Sequence, residues 1–464
     1  MAITAAREII QVEEKVPFLK GIPLSLQHLF AMFGASVLVP ILFNTWAGKV
    51  VVDPALVLLM NGIGTLIYLF ICRGKAPAFL GSSFAFLSPT AVCIATASKA
   101  GLDPQLGFRN ALGGFFVAGL AFIVVSLIIR FAGRRWISIV LPPAAMGPIV
   151  ALIGLELSPV ATGMAFYKDG NMGSGVLVGS NIVISLFTLV VVIVGSVVFR
   201  KFWAAIPVLI GVIAGYVLSV LMGAVNFGAV SEASFLTFPQ FVLPAWDGAS
   251  ILIILPAALV VISEHIGHLF VTSNIVGRDL LKVPGLHNSL LGDGVSTALS
   301  GFAGSCPTTT YGENMGVMAI TKVYSVWVIG GAAVISIVIA FFGQVSGAIR
   351  TIPVPVIGGI SMMLFGVIAA SGLRMLIEAK VDYSRSKNLL LSAVVFVVGI
   401  SGVPINLGNT QLKGMVLATL VGIVLSLAFY IVEKLGWSNE PPETQVDDGL
   451  ETNHASAQAK VAPG

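Results

Sequence analysis

Long apolar runs dominate the chain. Residues 183–198, 251–262 and 389–398 are uncharged and predominantly apolar rather than alternating, with only Ser185, Thr188, Ser196 and Ser392 among them polar. Such runs are the mark of buried or lipid-facing helices, whereas the strands of a membrane barrel alternate apolar and polar positions. With roughly 20 residues needed to cross a bilayer as a helix, fourteen segments emerge: 24–45, 54–72, 84–99, 110–131, 137–157, 179–199, 203–224, 250–275, 289–304, 313–325, 327–347, 354–376, 388–403 and 414–434. The third, ninth, tenth and thirteenth are short.

Composition strengthens this reading. Of 464 residues, 57% are hydrophobic and only 10% are charged, with a mean hydropathy of +1.00. An ordinary soluble domain is about 25% charged, so most of this surface must face lipid, where every backbone amide needs a partner within the protein. Cys72, Cys93 and Cys306 form neither a disulfide framework nor a CxxC pair. Residues 1–23 lack the features of a signal peptide, and the polar, Pro/Glu-rich tail 438–464 reads as disordered.

The connecting charges set an orientation. With a cytoplasmic N-terminus and fourteen spans, 19 of the 25 Lys and Arg residues fall on the inner side and 6 on the outer side. That bias fits the positive-inside rule and places a multi-pass protein in the cell (inner) membrane with both termini in the cytoplasm.

Two weak matches relate the halves. Gln27-His28-Leu29-Phe30 resembles Gly267-His268-Leu269-Phe270, and Pro143, Gly147 and Gly154 have the spacing of Pro355, Gly359 and Gly366. Both pair span n with span n+7. Seven is odd, so partners cross in opposite directions, as in transporters built from inverted repeats with a midplane site between interrupted helices. The interruptions fall in spans three and ten, at residues 81–89 (GSSFAFLSP) and 304–313 (GSCPTTTYGE). Such residues are poor helix material. They predict two short strands that pair with each other, each leading into a half-helix whose N-terminus points free N–H groups into the protein. The alternative, long loops outside the membrane, does not account for their matching positions in the two halves.

Ionisable residues inside spans are functional candidates. Glu264 lies within LVVISEHIGHLFV, and Glu313 opens the half-helix of TTTYGENMGVMAITK. His268 is four residues after Glu264, on the same helix face, so the two form a candidate proton acceptor. His265 points elsewhere and reads as packing. Glu-His-x-x-His lacks the order of a zinc peptidase motif, so no metal site is expected. Gly312 permits close backbone approach. Tyr311, Phe84 and Phe365 can present apolar faces to a flat ring. Asp293 reads as a cap or gate residue, His28 as a hydrogen-bonded buried histidine, and His287 and Glu156 as span-end residues.

The segment ENMGVMAITK, from Glu313 to Lys322, resembles the signature of the nucleobase–ascorbate (second nucleobase–cation symporter) family. SEHIGH and GSSFAF are similar to its bacterial uracil permeases, and the resemblance spans residues from about 18 to 437. It implies an all-α membrane protein of two inverted seven-span repeats, with spans three and ten interrupted by short paired strands. A core domain would comprise 24–135 and 250–350, and a gate domain 136–249 and 351–437. It further implies a homodimer, proton-coupled import by alternating access, and a nucleobase held by the Glu264 and Glu313 side chains and the Phe84 and Gly312 amides. His268 would support Glu264 in proton coupling. Phe365 stands where those permeases have Tyr.

Uracil offers two N–H donors and two carbonyl acceptors, the complement of two carboxylates and two amides. Xanthine and urate carriers of the family typically have Gln where Glu313 stands, so the Glu favours uracil over purines. An anion carrier of the same fold class would want fixed positive charge, and neither interrupted segment contains Lys or Arg. A channel needs no coupled Glu–His pair, and no enzyme constellation is recognisable. Protons, a small-molecule substrate and the lipid bilayer are the expected partners, without nucleic acid or any cofactor.

Overall fold

The computed structural model describes residues 9–407 and 410–440. The tail read as disordered therefore lies, from residue 441 onward, outside the described residues. Among these, fourteen α-helices have ten residues or more. In the first half they are α1 (Phe18–Ala47), α2 (Pro54–Ile71), α3 (Leu87–Lys99), α4 (Pro104–Ala132), α5 (Pro143–Phe166), α6 (Gly179–Val198) and α7 (Pro207–Leu221). In the second half they are α8 (Ala257–Val276), α9 (Leu286–Ala303), α10 (Gly312–Thr321), α11 (Val326–Ala340), α12 (Val354–Glu378), α13 (Ser386–Ile400) and α14 (Gly414–Lys434). Eight helical stretches are long and apolar enough to cross a membrane: α1, α2, α4, α5, α6, α12, α14 and the run Gly248–Val276 that ends in α8.

Local chemistry sets several boundaries. Asp53 and Asp103 each accept a hydrogen bond from the backbone two residues on, at 3.1 and 2.8 Å, and each is followed by Pro at the first helical position. Asp followed by Pro suits a helix start, because the carboxylate caps an orphan N–H and Pro lacks the N–H that would otherwise be unpaired.

The two interruptions fold as expected. Strand β1 (Leu80–Ser82) pairs antiparallel with β2 (Thr308–Thr310), with Gly81 opposite Thr309. Each strand is also held by a threonine of the helix before it. In α2, Thr65 Oγ1 accepts from Leu80 N at 2.9 Å; in α9, Thr297 Oγ1 accepts from Thr308 N at 3.2 Å. Backbone that lipid could not satisfy is thus satisfied by protein. Residues Phe84–Phe86 form a single 3₁₀ turn leading into α3, and β2 passes through Tyr311 into α10. A second antiparallel pair, β3 (Ile405–Leu407) with β4 (Thr410–Leu412), precedes α14.

The helices pack in two sets. In one, α4 lies against α9, α2 against α9 and α11, and α1 against α3, α10 and α11. In the other, α5 lies against α12, α13 and α14, α6 against α7 and α12, and α13 against α14. Between the sets run the contacts of α1 with α7 and of α8 with α5 and α14. Small residues let backbones approach closely, as membrane helix packing requires. A Cβ on Gly119 would strike Gly294 and Ala298, and one on Gly154 would strike the Phe365 carbonyl. Gly359 is notched against Ser185, whereas Gly366 faces open space.

The N-terminal segment lies across one end of the first set. Ile10 N donates to Lys322 O at 3.1 Å, and Tyr324 N and Val326 N donate to Ile10 O and Val12 O at 2.8 and 2.9 Å. Arg278, just after α8, grips Glu13 at 2.6 Å.

Candidate functional site

The site lies where α8, the β1–β2 pair and the starts of α3 and α10 meet. α8 packs against α10, β2 and the turn Phe84–Phe86. Glu264, His268, Gly312 and Glu313 are partly accessible, although the three titratable groups lie deep among the helices. They therefore line a space inside the protein. Phe84 and Gly312 open their helices, so their N–H groups have no intrahelical acceptor, and no side chain caps either start. Phe365, from α12, is 1% exposed and packs edge-on against Phe84, with ring centroids 5.9 Å apart at 82°. The structure thus brings Glu264, Glu313, Phe84, Gly312, His268 and Phe365 to one place from four segments.

Tyr311 is positioned differently. Its ring lies over Gly81, where a Cβ would overlap it, and its hydroxyl donates to Ser82 O at 3.0 Å and accepts from Ser36 Oγ at 3.3 Å. It clamps β1 to α1 in this conformation.

Glu264 and His268 share a face of α8 but do not bond each other. Each meets a different hydroxyl of β2. Thr309 Oγ1 donates to Glu264 Oε2 at 3.4 Å, and Thr310 Oγ1 pairs with His268 Nδ1 at 3.0 Å. The third hydroxyl, that of Thr308, is 3.3 Å from Asp293 Oδ1 and 2.9 Å from Ser296 Oγ. Three consecutive threonines thus touch three ionisable residues. Sequence reasoning missed them; the detectable signal was the Thr-Thr-Thr run itself, placed on a strand that had been predicted.

Two readings need correction. His265 is no packing residue: Nδ1 lies 3.0 Å from Asp293 Oδ2, and Nε2 lies 2.8 Å from Ser289 Oγ, which also bonds the Tyr68 hydroxyl at 2.8 Å. Asp293 is no helix cap, because it is fully buried in the middle of α9. Its flanking glycines are packing notches instead: Gly292 admits Tyr68, and Gly294 admits Gly119 and Phe122 of α4. A small cavity lined by Tyr68, His268, Thr272, Ser289, Thr310 and Tyr311 separates the His268 and His265 chains.

His28 is a buried, hydrogen-bonded histidine as expected. Asn314 Nδ2 contacts both its Nδ1 and its carbonyl oxygen at 3.1 Å, tying α10 to α1, while Asn314 Oδ1 is buried without a partner. His287 stands in the first turn of α9, as expected of a span-end residue. Among the described residues no group of three or more His, Cys, Asp or Glu is arranged to hold a metal ion.

Comparison with known proteins identifies relatives in sequence and in fold. Residues 19–408 match the model of the xanthine/uracil-type Permease family. The chain is 55% identical to a uracil permease of Paenibacillus larvae over 93% of its own length and 99% of the relative's. It is 52% identical to a uracil permease of Escherichia coli, over 95% and 97% respectively. In fold it is similar to the transmembrane domain of the cyanobacterial bicarbonate transporter BicA, at 14% identity and a TM-score of 0.59, covering 90% of this chain and 100% of that one. A murine anion transporter, Solute Carrier 26 family member A9, gives 12% identity and a TM-score of 0.66, covering 91% and 69%.

Proposed function

The chain belongs to the xanthine/uracil-type Permease family, and on that premise we propose that it imports uracil across the cell membrane, coupled to protons. It is a nucleobase transporter and not an enzyme. The observation that carries the substrate is the meeting of two carboxylates, Glu264 and Glu313, with the uncapped N–H groups of Phe84 and Gly312 where α8, α10 and the turn Phe84–Phe86 converge. Uracil's two N–H groups and two carbonyls complement that set, with Phe84 and Phe365 flanking the ring. Fixed positive charge, which an anion would need, is missing from both interrupted segments. The fold shared with anion transporters therefore does not extend to their substrate class.

The transported base is neutral, so its accumulation needs a coupled cation. Glu264 is the proposed proton carrier, with His268 beside it. Two ionised carboxylates facing one cavity at the midplane repel each other, so one is neutral when the loaded site moves. Glu313 is fixed at the N-terminus of α10, and the proton is assigned to Glu264.

An architecture of fourteen spans in two inverted repeats supports this cycle, and the packing favours it. Contacts recur when both partners are advanced by seven: α4–α9 with α11–α2, α6–α12 with α13–α5, α6–α7 with α13–α14, and α1–α7 with α8–α14. Thr65 and Thr297 hold their strands in the same way. The two packing sets correspond to a core of α1–α4 and α8–α11 and a gate of α5–α7 and α12–α14, with core moving against gate. Ion pairs among the described residues fit the span assignment, because each joins segments assigned to the same side. Lys49–Asp103 and Arg350–Asp53 are outer, at 2.7 and 3.4 Å; Arg278–Glu13 and Lys387–Glu433 are inner, at 2.6 and 2.9 Å. Assembly as a homodimer is part of the same reading.

A thermal-shift panel on the purified protein tests the substrate. Uracil is expected to raise the melting temperature, and xanthine, urate and sulfate are not. Stabilisation by xanthine and not by uracil would establish the purine alternative.

A further inference from the structure

Glu156 was read as a span-end residue. The structure instead places it inside α5, in the gate set, with its carboxylate turned toward the core. Ser88, in the first turn of the core half-helix α3, donates to Glu156 Oε1 at 2.7 Å. Met415 N, in the first turn of gate helix α14, donates to Glu156 Oε2 at 2.8 Å. The carboxylate thus links the N-terminal turn of a core helix to that of a gate helix, where the partial positive charge of both favours an anion. The site is shaped around it: Gly414 has a φ of +59°, and a Cβ there would overlap the Glu156 carboxylate. The Pro-Gly-Gly match between α5 and α12 pairs Glu156 with Ile368, so the other half has no equivalent carboxylate.

We infer that the Ser88–Glu156 hydrogen bond is a latch between core and gate, on the outer side of the substrate site, which must break for that side to open. Ser88 lies a few residues after Phe84 on α3, which runs from the site toward Lys99, at the outer end of the third span when the N-terminus is cytoplasmic. The bond therefore lies between the bound base and the exterior. The Met415 bond stays within the gate and keeps the carboxylate in place when Ser88 leaves. Because only one half of the repeat carries it, the latch biases the protein toward its outward-closed form. The inference rests on the core-and-gate reading, but its test does not depend on the substrate.

Spin labels at Lys99→Cys and Lys413→Cys, both exposed positions on the predicted outer side, report the separation of α3 from the start of α14 in lipid nanodiscs without substrate. Ser88→Ala removes the core-to-gate bond and leaves the Met415 bond intact. It is expected to raise the population at longer distance about tenfold, equivalent to about 1.4 kcal/mol. Glu156→Ala, which also removes the bond within the gate, is expected to do the same, and the combined variant no more than either, because all three lack the same core-to-gate bond. A Ser88→Ala distribution identical to that of the parent would overturn the latch, leaving Glu156 as a cap on α14 alone. So would additive effects in the combined variant. Should Glu156→Ala fail to fold, Ser88→Ala decides by itself. Failure of the parent protein to bind uracil would end the substrate reading and leave the distance result standing.

Discussion

Residues 80–99 and 308–321 share a backbone plan: a three-residue strand, a short link, then a half-helix, with the strands paired to each other. Their chemistry differs. The first link carries Phe84, Ala85 and Phe86, all buried and apolar, and offers backbone N–H as its polar group near the site. The second arm carries three threonine hydroxyls on its strand, and Glu313 and Asn314 in the first turn of its half-helix. One arm therefore supplies a rigid apolar surface and the other supplies charge and proton-bearing partners. In a repeat, duplicated backbone provides two helix starts facing one space, and divergence of side chains divides the tasks between them. Both arms pack against α8, but the polar arm does so through its strand, so Glu264 and His268 each reach a hydroxyl of β2.

The largest expected effect tests this division at Glu264. Glu264→Gln imitates the protonated carboxyl permanently. In proteoliposomes it is expected to abolish uphill uracil uptake driven by a pH gradient while retaining exchange of labelled for unlabelled uracil. One charge crossing 100 mV is worth about 2.3 kcal/mol, and that driving force disappears if the proton site does. Uncoupler-sensitive accumulation at the parent rate would move the proton to another group, His268 being the next candidate.

At the polar arm itself, Glu313→Gln is expected to weaken uracil binding by about 2 kcal/mol, the scale of a hydrogen bond to a charged group. That is a loss of roughly 30-fold in affinity. Calorimetry on the folded variant measures it, and unchanged affinity would remove Glu313 from contact with the base. Thr308→Val should act on stability instead of binding. It leaves Asp293 Oδ1 without the Thr308 hydroxyl in a fully buried setting, at a cost of about 1–3 kcal/mol, seen as a lower melting temperature with uracil affinity retained. Equal losses of stability and affinity would mean that the Asp293 network and the binding site are not separable.

What could be read from the sequence follows from what is local. Apolar runs locate helices because the requirement for them is one-dimensional. The interruptions at 81–89 and 304–313 were visible because Gly, Ser, Thr and Pro are conspicuous among apolar residues. Glu264 and Glu313 stood out because a charge inside a span is rare. Contacts between distant segments were not visible. Nothing near His265 in sequence announces Asp293, 28 residues away, and nothing near Glu156 announces Ser88 or Met415, 68 and 259 residues away. Helix periodicity put Glu264 and His268 on one face, but the choice of Thr309 and Thr310 as their partners depends on how β2 lies across α8. The glycines beside Asp293 were ambiguous for the same reason: a Gly serves as a turn or as a notch, and only the neighbouring helix decides.

The smallest expected effect lies outside the membrane, where the polar arm is tied down. The chain leaves α10 at Lys322, and residues 322–326 are bonded to the N-terminal segment, which Glu13 fastens to Arg278 beyond α8. Slight desolvation pushes the pKa of Glu13 up, but the hydrogen bond and charge of Arg278 more than offset it, so its carboxyl sits below the ordinary value of 4.5. A carboxyl whose pKa is lower folded than unfolded contributes stability above its unfolded pKa and loses it as pH falls through the folded value. The contribution is therefore complete near neutrality and fades below about pH 4.5. Both side chains are exposed, at 41% and 49%, so screening limits the pair to a few tenths of a kcal/mol. Arg278→Ala is expected to leave the melting temperature almost unchanged while speeding backbone amide exchange at Ile10, Tyr324 and Val326. The difference from the parent should shrink at high salt and at pH 4. Exchange identical to the parent at neutral pH and low salt would show that backbone pairing alone holds the segment, with the ion pair only decorating it.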